Sequence, residues 1–468
     1  MFLKTHRVRK DGKEHIYYSL CESLRVSRCR VTQRTVLHLG ELNTTQVDRW
    51  ERTIETIHED AQRQQLRLFT DREGHAPAAD DVAEVILSSL VVRRPRRFGE
   101  CWIGCKLWEQ LGLRAFWDQA LGEQRGQVAW AKVVELLVVN PLCVPRSELS
   151  VHEKWFGQTA MDLLLDTDAR VAEKDRLDRC LDRMMAHNEG LERHLAGRWR
   201  DLFGASFEVL LYDLTSTCFE GEALEVAKAR RGYSRDHRPD CLQVLLAVVV
   251  TPEGFPLSYE VLPGNGPDEG TLEAALAAIE RKHGKARRIW VFDRGVVSEA
   301  NLRTLRGRGA PYVVGTPRSQ FKQYEQQLLR GDWQAISQAV NVQLTEVEAV
   351  FRAMKSELAI RPIWHWAGPR VEAHVMVAFL GYCLWVCLRQ KLKVVAPSLT
   401  PWQLLDQFGR IVQVEVWFKL RAGGAICLPR ITQPEPAQAI LLHQLGWGLP
   451  EQPPPKIYKD QVPDVWTT

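Results

Sequence analysis

Residues 241–262 read CLQVLLAVVVTPEGFPLSYEVL, and this stretch decides the fold. Its first half is a continuous apolar run, which is typical of a strand buried on both faces. TPEGFP, residues 251–256, carries the Pro and Gly signals of a turn, and LSYEVL then has the pattern of another strand. The stretch therefore predicts two antiparallel strands joined by a short turn.

The neighbouring segments extend this pair into a mixed sheet. FEVLLYD, ending at Asp213, predicts a buried strand before the pair, and RIWVFD, ending at Asp293, predicts one after it. Helices are expected from about Asp268 and over about 298–308, and PYVVGT predicts a fifth strand. This β-β-β-α-β-α-β order is the ribonuclease H-like α/β arrangement, in which strands one and four lie side by side.

The rest of the chain predicts segments that flank this core. We expect an N-terminal β element (1–43), a helical linker with a basic run and a short helix ending near Val91 (44–98), a helical domain (99–200), the α/β core (205–395), and a C-terminal helical segment with an extended or disordered tail (396–468).

Composition is that of an ordinary soluble protein. The chain has 468 residues, 45% of them apolar and 26% charged, with a net charge of +4. No signal peptide is evident, and the apolar run from Val375 to Leu388 is shorter than the roughly 20 residues that span a bilayer. We therefore expect a cytoplasmic protein with no membrane partner.

Cysteine usage points to a reducing compartment. The 11 cysteines are odd in number and include no CxxC pair. That pattern argues against both a disulfide framework and a structural zinc site. Cys383 and Cys387 stand at helical spacing in an apolar run, which predicts buried thiols.

Basic residues are clustered rather than evenly spread. Such clusters fit phosphate contacts, although a run of charges is commonly just a solvated face. The clusters are Lys4, Arg7, Arg9, Lys10 and Lys13; Arg93, Arg94, Arg96 and Arg97; and Lys228, Arg230, Arg231, Arg235 and Arg238.

Asp213 and Asp293 each follow an apolar strand, and adjacent strands would bring the two carboxylates together. Close carboxylates repel one another unless a cation lies between them. Mg²⁺ and Mn²⁺ prefer oxygen ligands, and a third carboxylate would complete a two-metal site for phosphodiester cleavage. A single Asp at a strand end is also a common turn residue.

Several stretches resemble bacterial insertion-sequence transposases of the DDE class. They are YDLTSTCFEG (212–221), RGYSRDHRPDCLQVLLAVVVTPEGFPLSYEVLPGN (231–265), VFDRG (291–295) and EAVFRAMKSELAIRPIWH (348–365). The chain is most similar to the insertion sequence 4-like superfamily, in the branch with a Tyr-Arg-Glu-Lys signature. The similarity is strongest over about 205–395.

The resemblance implies a catalytic site. Asp213, Asp293 and Glu348 match the three metal-binding acidic residues, and Lys355 matches the signature lysine. It also implies an Mg²⁺ or Mn²⁺ cofactor, with activated water cutting the element ends and the freed 3′-hydroxyl attacking target DNA. The implied partners are double-stranded DNA, as terminal inverted repeats and target, and a second copy of the chain on paired ends.

The segment TEVEAVFRAMKSEL (345–358) has a helical pattern that agrees with this assignment. Glu348, Arg352 and Lys355 fall within about 60° of one another on an α-helix, so one face offers a carboxylate and two cations. Glu346 points elsewhere. An apolar stripe of Val347, Val350, Phe351, Met354 and Leu358 occupies another side. Glu348 with Arg352 is also an i,i+4 pair, which commonly only stabilises an exposed helix.

Further residues near the motifs are candidates for DNA contacts. They are Arg230, Arg231, Arg235, Arg294, Arg352, Lys355, Arg361 and His365. Arg294 could equally pair with a carboxylate, and His365 could be a structural histidine. Trp364 and Trp366 could stack on an unpaired base, but core packing is the expected role of these two rings.

The chain departs from the family pattern in two places. Asn341 and Leu344 stand where the signature has tyrosine and arginine. The strand-rich insertion of relatives is shortened here to about 316–344, and an internal deletion would explain both departures.

The sequence therefore predicts a DNA transposase whose 99–200 helical domain binds element ends. Three alternatives stay open: a truncated remnant that binds DNA with little catalysis, a metal-dependent ribonuclease H-like nuclease that does not join strands, and a glycoside hydrolase using a carboxylate pair.

Overall fold

The computed structural model describes most of the chain, in two compact units. The described residues are 1–10, 13–27, 30–70, 83–122, 128–221, 223, 225–234, 238–266, 271–283, 288–292, 298–314, 350–358, 360–459 and 463–466. Unit 1 comprises Met1–Ile103, Phe156–Leu164 and Cys387–Thr468, and unit 2 comprises Gly104–Trp155 and Leu165–Val386.

Unit 1 is built on two antiparallel sheets. The first has the order β1-β2-β3, with β1 Phe2–Lys10, β2 Lys13–Ser27 and β3 Arg30–Glu41. The second has the order β12-β11-β10-β4, with β4 Val85–Arg97, β10 Val412–Leu420, β11 Ala425–Ile431 and β12 Lys456–Tyr458. Its helices are α1 Thr44–Thr70, α6 Phe156–Gln158, α7 Met161–Leu164, α13 Pro401–Phe408 and α14 Pro436–Leu445.

The region predicted to be helical, 99–200, begins with α2 (Gly99–Gln110), whose first residues belong to unit 1. In unit 2 the helices before the sheet are α3 Leu113–Leu121, α4 Trp130–Cys143, α5 Glu148–Ser150, α8 Lys174–Met184 and α9 Asn188–Phe203. A π-helical turn spans Val151–Trp155, and 3₁₀ turns span Ala169–Ala172 and Met185–His187. The helical character predicted for 99–200 is confirmed.

The sheet of unit 2 has the order β7-β6-β5-β8-β9. Its strands are β5 Val209–Cys218, β6 Gln243–Val250, β7 Pro256–Pro263, β8 Ile289–Phe292 and β9 Tyr312–Val314, and its helices are α10 Thr271–His283 and α11 Glu299–Gly307. β5, β6 and β7 are antiparallel neighbours, whereas β8 pairs parallel with both β5 and β9. The predicted ribonuclease H-like core, with strands one and four adjacent, is confirmed.

The burial of β6 explains its sequence pattern. Each of its residues from Gln243 to Val250 is buried. A strand covered on both faces reads as an uninterrupted apolar run, because neither face meets water. The apolar core here includes Leu210, Tyr212, Leu276, Trp290 and Phe292, so α10 packs on the strands β5 and β8.

Helix α12 (Gly368–Val395) is longer than the predicted apolar run and carries it through the interior. It is long and apolar enough to cross a membrane by length and composition, but 89% of its most apolar window is buried inside the protein. In unit 2 its Phe379 ring lies 4.7 Å from that of Tyr259, and the Tyr382 hydroxyl donates to the Gly254 carbonyl at 2.9 Å. Its Cys383 and Cys387 are buried thiols, as predicted.

Two local predictions are wrong. The helix expected to end near Val91 is instead strand β4, and the expected C-terminal helical segment contains β10, β11 and β12 besides its helices. The tail, expected to be extended or disordered, contains the extended strand β12, and β12 pairs with β11. β4 hydrogen-bonds to β10, more than 300 positions away, and such pairing leaves no local signal. Pro95 is tolerated because β4 is an edge strand.

The basic run in β4 is held by partners within unit 1. Arg94 pairs with Glu415 at 2.9 Å, Arg96 with Asp162 at 2.8 Å, and Arg97 with Glu100. Arg93 donates to the Asp464 carbonyl at 3.4 Å. The side chains of the run are therefore engaged by the sheet and by neighbouring helices of unit 1, and we assign the run no role in phosphate binding.

His283, at the end of α10, makes the stability of unit 2 depend on pH. Its side chain is only 8% exposed, and burial together with Arg288 and Lys282 lowers its pKa from 6.5 to about 4. Between these two values the unfolded chain binds more protons than the folded one, so stability falls as the pH falls.

When the pH falls from 7 to 5, the free energy of unfolding of the natural chain should fall by about 2 kcal/mol more than that of the His283→Gln variant. Urea unfolding at the two pH values measures this difference. His6→Gln, at an exposed position on β1, is the control and should leave the pH dependence unchanged. Equal pH dependence in the His283 variant and the natural chain would contradict the assignment.

Candidate functional site

Asp213 lies in the middle of β5, so the prediction that its strand ends there is wrong. The strand continues to Cys218, because Asp213 through Cys218 pair with β6 from Val248 to Gln243. The Asp213 side chain is half-buried, and its Oδ1 accepts a hydrogen bond from the Leu214 N–H at 2.7 Å. A carboxylate is thus fixed inside the sheet rather than in a turn.

The register between β5 and β8 agrees with a pairing of the two predicted aspartates. It is described up to the residue that precedes each of them. Val209 lies opposite Ile289, and the parallel pairing continues to Tyr212 opposite Phe292. Each of the last two residues directly precedes a predicted metal ligand. Asp293 itself lies outside the described residues, as do Arg294, Glu348 and Arg235.

The described part of the third motif is helical from Val350 to Glu357. Val350, Phe351, Met354 and Leu358 are buried, which confirms this part of the predicted apolar stripe. Arg352 is exposed and Lys355 is half-buried.

The helix of the third motif differs from the prediction in its winding. Ala353–Glu357 forms a π-helical turn. The wider turn changes the angular relation calculated for Arg352 and Lys355 on an α-helix.

The segment after that helix runs alongside the end of β5. The Ile363 N–H donates to the Cys218 carbonyl at 3.0 Å, and the Glu220 N–H donates to the Ile363 carbonyl at 3.1 Å. Arg361 is half-buried in this segment. The backbone pairing therefore holds the RPIWH motif against the strand that carries Asp213.

The two tryptophans of this segment point to solvent. Trp364 is 58% exposed and Trp366 is 70% exposed, so the expectation that they pack in the core is wrong. A large part of each tryptophan is therefore accessible to a partner. Stacking on a nucleobase thus stays a prediction for these side chains.

The basic cluster near β6 divides into paired and unpaired side chains. Lys228 pairs with Glu372 at 2.5 Å, and Arg238 pairs with Asp240 at 3.0 Å. Arg230 and Arg231 are exposed; the Arg230 guanidinium donates to a backbone carbonyl, and Arg231 has no side-chain partner among the described residues. Reciprocal 3.0 Å backbone hydrogen bonds between Arg230 and Gln243 fix this pair of arginines to the start of β6.

Unit 2 also contains a cluster that the sequence does not reveal, formed by Glu148, His365 and His374. One ligand atom from each residue lies within 4.8 Å of the others. His365 Nε2 lies 3.3 Å from Glu148 Oε1, and His374 Nε2 lies 3.2 Å from the Ile360 carbonyl oxygen. His365 and Glu148 are 217 positions apart, so no local spacing could indicate the cluster.

The protonation of this cluster follows from its burial and its charges. Burial opposes ionisation of Glu148, but the hydrogen bond and charge of His365, with His374 nearby, outweigh burial and lower the pKa of Glu148 to about 2. Burial lowers the pKa of His374. Glu148 is therefore a carboxylate and His374 a neutral imidazole at neutral pH.

Models of protein families match the chain in three places. A model described as "IS1634 family transposase, N-terminal domain" matches residues 3–71, and one described as "Transposase DDE domain" matches residues 206–384. Residues 103–193 match a domain of unknown function, DUF4277. No curated protein matches the chain.

Solved structures of transposases are similar to the chain at low identity. A piggyBac transposase synaptic complex with hairpin DNA is 12% identical, with a TM-score of 0.36, covering 68% of this chain and 81% of that chain. The catalytic domain of Mos1 mariner transposase is 14% identical, with a TM-score of 0.17, covering 43% of this chain and 92% of that chain.

Proposed function

Because the chain is a bacterial insertion-sequence transposase of the DDE class, we propose that Asp213, Asp293 and Glu348 are the acidic residues with which it cuts and joins DNA. The observation that carries this proposal is the position of Asp213. It lies half-buried on β5, and the parallel pairing with β8 reaches the residue before it. Continuing that register would set Asp293 beside Asp213.

The proposed site suits Mg²⁺ or Mn²⁺. Its donors are carboxylate oxygens, which these hard cations prefer. A divalent cation held there supplies Lewis acidity and charge neutralisation for phosphodiester chemistry. Asp213 fits this role because β6 pairs with it directly and β8 pairs with β5 up to the preceding residue, Tyr212. Such fixation holds a ligand in place before the substrate arrives.

The cationic side chains near the proposed site would hold the DNA backbone. Arg352 and Lys355 follow Glu348 in the sequence of the third motif, and Arg361 comes shortly after, in the segment that runs beside β5. Arg294 and Arg235 belong to the same proposal from their sequence positions alone. His365 contacts Glu148, so we leave it out of the proposed DNA contacts.

The DNA partners we propose are the terminal inverted repeats of the element and a target duplex. Two copies of the chain would act together on paired ends, with the 99–200 helical domain contacting the end sequences. Such a protein works in the cytoplasm, where the bacterial chromosome lies.

Arg230 and Arg231 are exposed cations of the cluster near β6 that form no ion pair among the described residues, and we expect them to contact phosphates. The double variant Arg230→Ala/Arg231→Ala should bind DNA more weakly and lower the slope of log affinity against log salt by about 2, because each lost phosphate contact removes about 0.9. Filter binding or fluorescence anisotropy over a salt series measures the slope.

Arg238→Ala is the matched control, since Arg238 already pairs with Asp240 in the same loop region. Its salt slope should stay close to that of the natural chain. An unchanged slope in the double variant would remove Arg230 and Arg231 from the DNA interface.

An end-nicking assay tests the proposed function against its alternatives. Purified protein with Mn²⁺ should nick DNA that carries the element's own ends and leave DNA without them intact. A remnant would retard the DNA in a gel without cutting it, and a nuclease would cut it without producing joined strands. Carbohydrate cleavage that needs no metal would point to the glycoside hydrolase instead.

A further inference from the structure

Glu148, His365 and His374 come from three separate parts of unit 2. Glu148 is the first residue of the short helix α5, His365 lies in the segment beside β5, and His374 lies near the start of α12. They line a cavity of about 180 Å³, together with Asn140, Arg146 and Arg361. The side chains of Glu148 and His365 are only 15% and 11% exposed, so the cluster is sheltered yet reachable through the cavity.

One pair of atoms in this cluster has the separation of two ligands on one metal ion, and the third atom is close to both. In a tetrahedral site with bonds of about 2.0–2.1 Å, two ligand atoms lie roughly 3.3–3.4 Å apart. His365 Nε2 and Glu148 Oε1 are 3.3 Å apart, and the ligand atom of His374 lies within 4.8 Å of both. Small side-chain adjustments would bring all three to one ion.

The backbone orients one of the ligands. The Ile360 carbonyl can only accept, so His374 Nε2 carries the proton and donates at 3.2 Å. The Nδ1 atom of the neutral ring then has a free lone pair. A histidine ligand commonly donates its other ring N–H to a carbonyl or carboxylate in this way, because that bond fixes the tautomer and the ring orientation.

We propose that Glu148, His365 and His374 form a binding site for a transition-metal ion of the zinc class, separate from the carboxylate site of the transposase reaction. Two imidazole nitrogens and one carboxylate suit Zn²⁺, Co²⁺ or Ni²⁺ and do not suit Mg²⁺, which prefers oxygen alone. A bound ion needs the lone pair of His365 Nε2, so any proton held on that atom leaves to solvent when the ion binds.

The cavity determines what occupies the coordination position that the three protein ligands leave open. Three protein ligands leave a fourth position that opens toward the cavity, where water or an anion binds. Arg146 and Arg361 line the same cavity, so an anion there is favoured over neutral water. Their charge opposes the incoming cation, and the ligand bonds must exceed this repulsion for the site to fill.

An ion at this site would tie together the parts of unit 2 that surround the RPIWH segment. It would connect α5 and α12 to the residues hydrogen-bonded along β5. The proposed role is therefore positioning: the ion holds the segment that follows Lys355 without touching the reacting DNA. The absence of a CxxC pair in the sequence argues against a thiolate zinc site, and the site proposed here uses no thiolate.

The test uses the full chain, stripped of metal with a chelator and titrated with Co²⁺ in excess Mg²⁺. Four-coordinate Co²⁺ with imidazole ligands absorbs visible light strongly, whereas Co²⁺ held by oxygen ligands in octahedral geometry absorbs weakly. We expect one strongly absorbing Co²⁺ per chain, displaced by one equivalent of Zn²⁺. His374→Ala and the isosteric Glu148→Gln should each lose this absorption, and His6→Ala, at an exposed position on β1, should keep it.

Circular dichroism in the presence of chelator checks that each variant folds. If one variant does not fold, the Co²⁺ absorption of the natural chain still tests the proposal. The proposal is overturned if the natural chain shows no strong absorption, or if the absorption survives both ligand variants. Retention of inorganic phosphate without any metal would identify the cavity as an anion site and also overturn it. The readout needs no DNA, so a failure of the proposed transposase activity leaves this test unaffected.

Discussion

Asp213→Asn should lower the rate of strand cleavage at the element ends on the order of 10³-fold or more, because a metal ligand supplies several kcal/mol of transition-state stabilisation. The substitution keeps the size of the side chain and its acceptor oxygen for the Leu214 N–H but removes the charge. Single-turnover cleavage of end-labelled DNA in Mn²⁺ measures the rate.

A DNA-binding measurement should distinguish this loss of cleavage from misfolding of the variant. The Asp213→Asn protein should still bind end DNA, since the phosphate contacts come from cationic side chains elsewhere. Glu220→Gln is the matched control: this exposed carboxylate follows the end of the same strand and is not among the proposed ligands, so its cleavage rate should be close to natural. An Asp213→Asn rate within a few-fold of the natural rate would exclude Asp213 from the site.

Lys282→Met should destabilise unit 2 by about 3–5 kcal/mol, because it leaves a buried carboxylate without its cation. Lys282 Nζ lies 3.1 Å from Glu192 Oε2 and 3.0 Å from Glu260 Oε1, and the Glu192 side chain is fully buried. Burial raises the pKa of Glu192, and Lys282 opposes that rise. The ion pair joins α9 and α10 to β7, so its loss affects the packing of helices on the sheet.

A second pair between the same two helices provides the control. Arg281 and Glu189 lie 3.5 Å apart with side chains 64% and 56% exposed, and Arg281→Met should cost only about 0–1 kcal/mol. Urea unfolding followed by tryptophan fluorescence measures both variants. Similar costs for the two substitutions would contradict the claim that burial makes the Lys282 pair important.

Much of the α/β core could be predicted because its strands are short, apolar and separated by clear turn signals. The run at β6 and the Pro and Gly turn before β7 are local features, and the strand order then follows from the rules of connection. The strands β4 and β10 could not be predicted in this way. Their pairing joins residues more than 300 positions apart. The 13-residue segment of β4 includes the exposed Leu87 and Leu90, so its apolar residues have no clear period that would indicate a strand.

The candidate site is only partly predictable for a similar reason. Asp213 could be found because it follows an apolar strand and lies in a family motif, although the strand in fact continues past it. The exposure of Trp364 and Trp366 could not be predicted, because aromatic composition favours burial whereas their segment lies at the surface. The cluster of Glu148 with His365 and His374 depends on three elements meeting, and only the tertiary structure brings them together.

The central claim is that Asp213, Asp293 and Glu348 act together in cutting and joining DNA. The most direct test is a strand-transfer assay with Mn²⁺, end DNA and a target plasmid, comparing Glu348→Gln with Glu346→Gln, two carboxylates just two positions apart. We predict joined products for the natural chain and for Glu346→Gln and none for Glu348→Gln. Joined products at the natural level from Glu348→Gln would contradict the proposed triad.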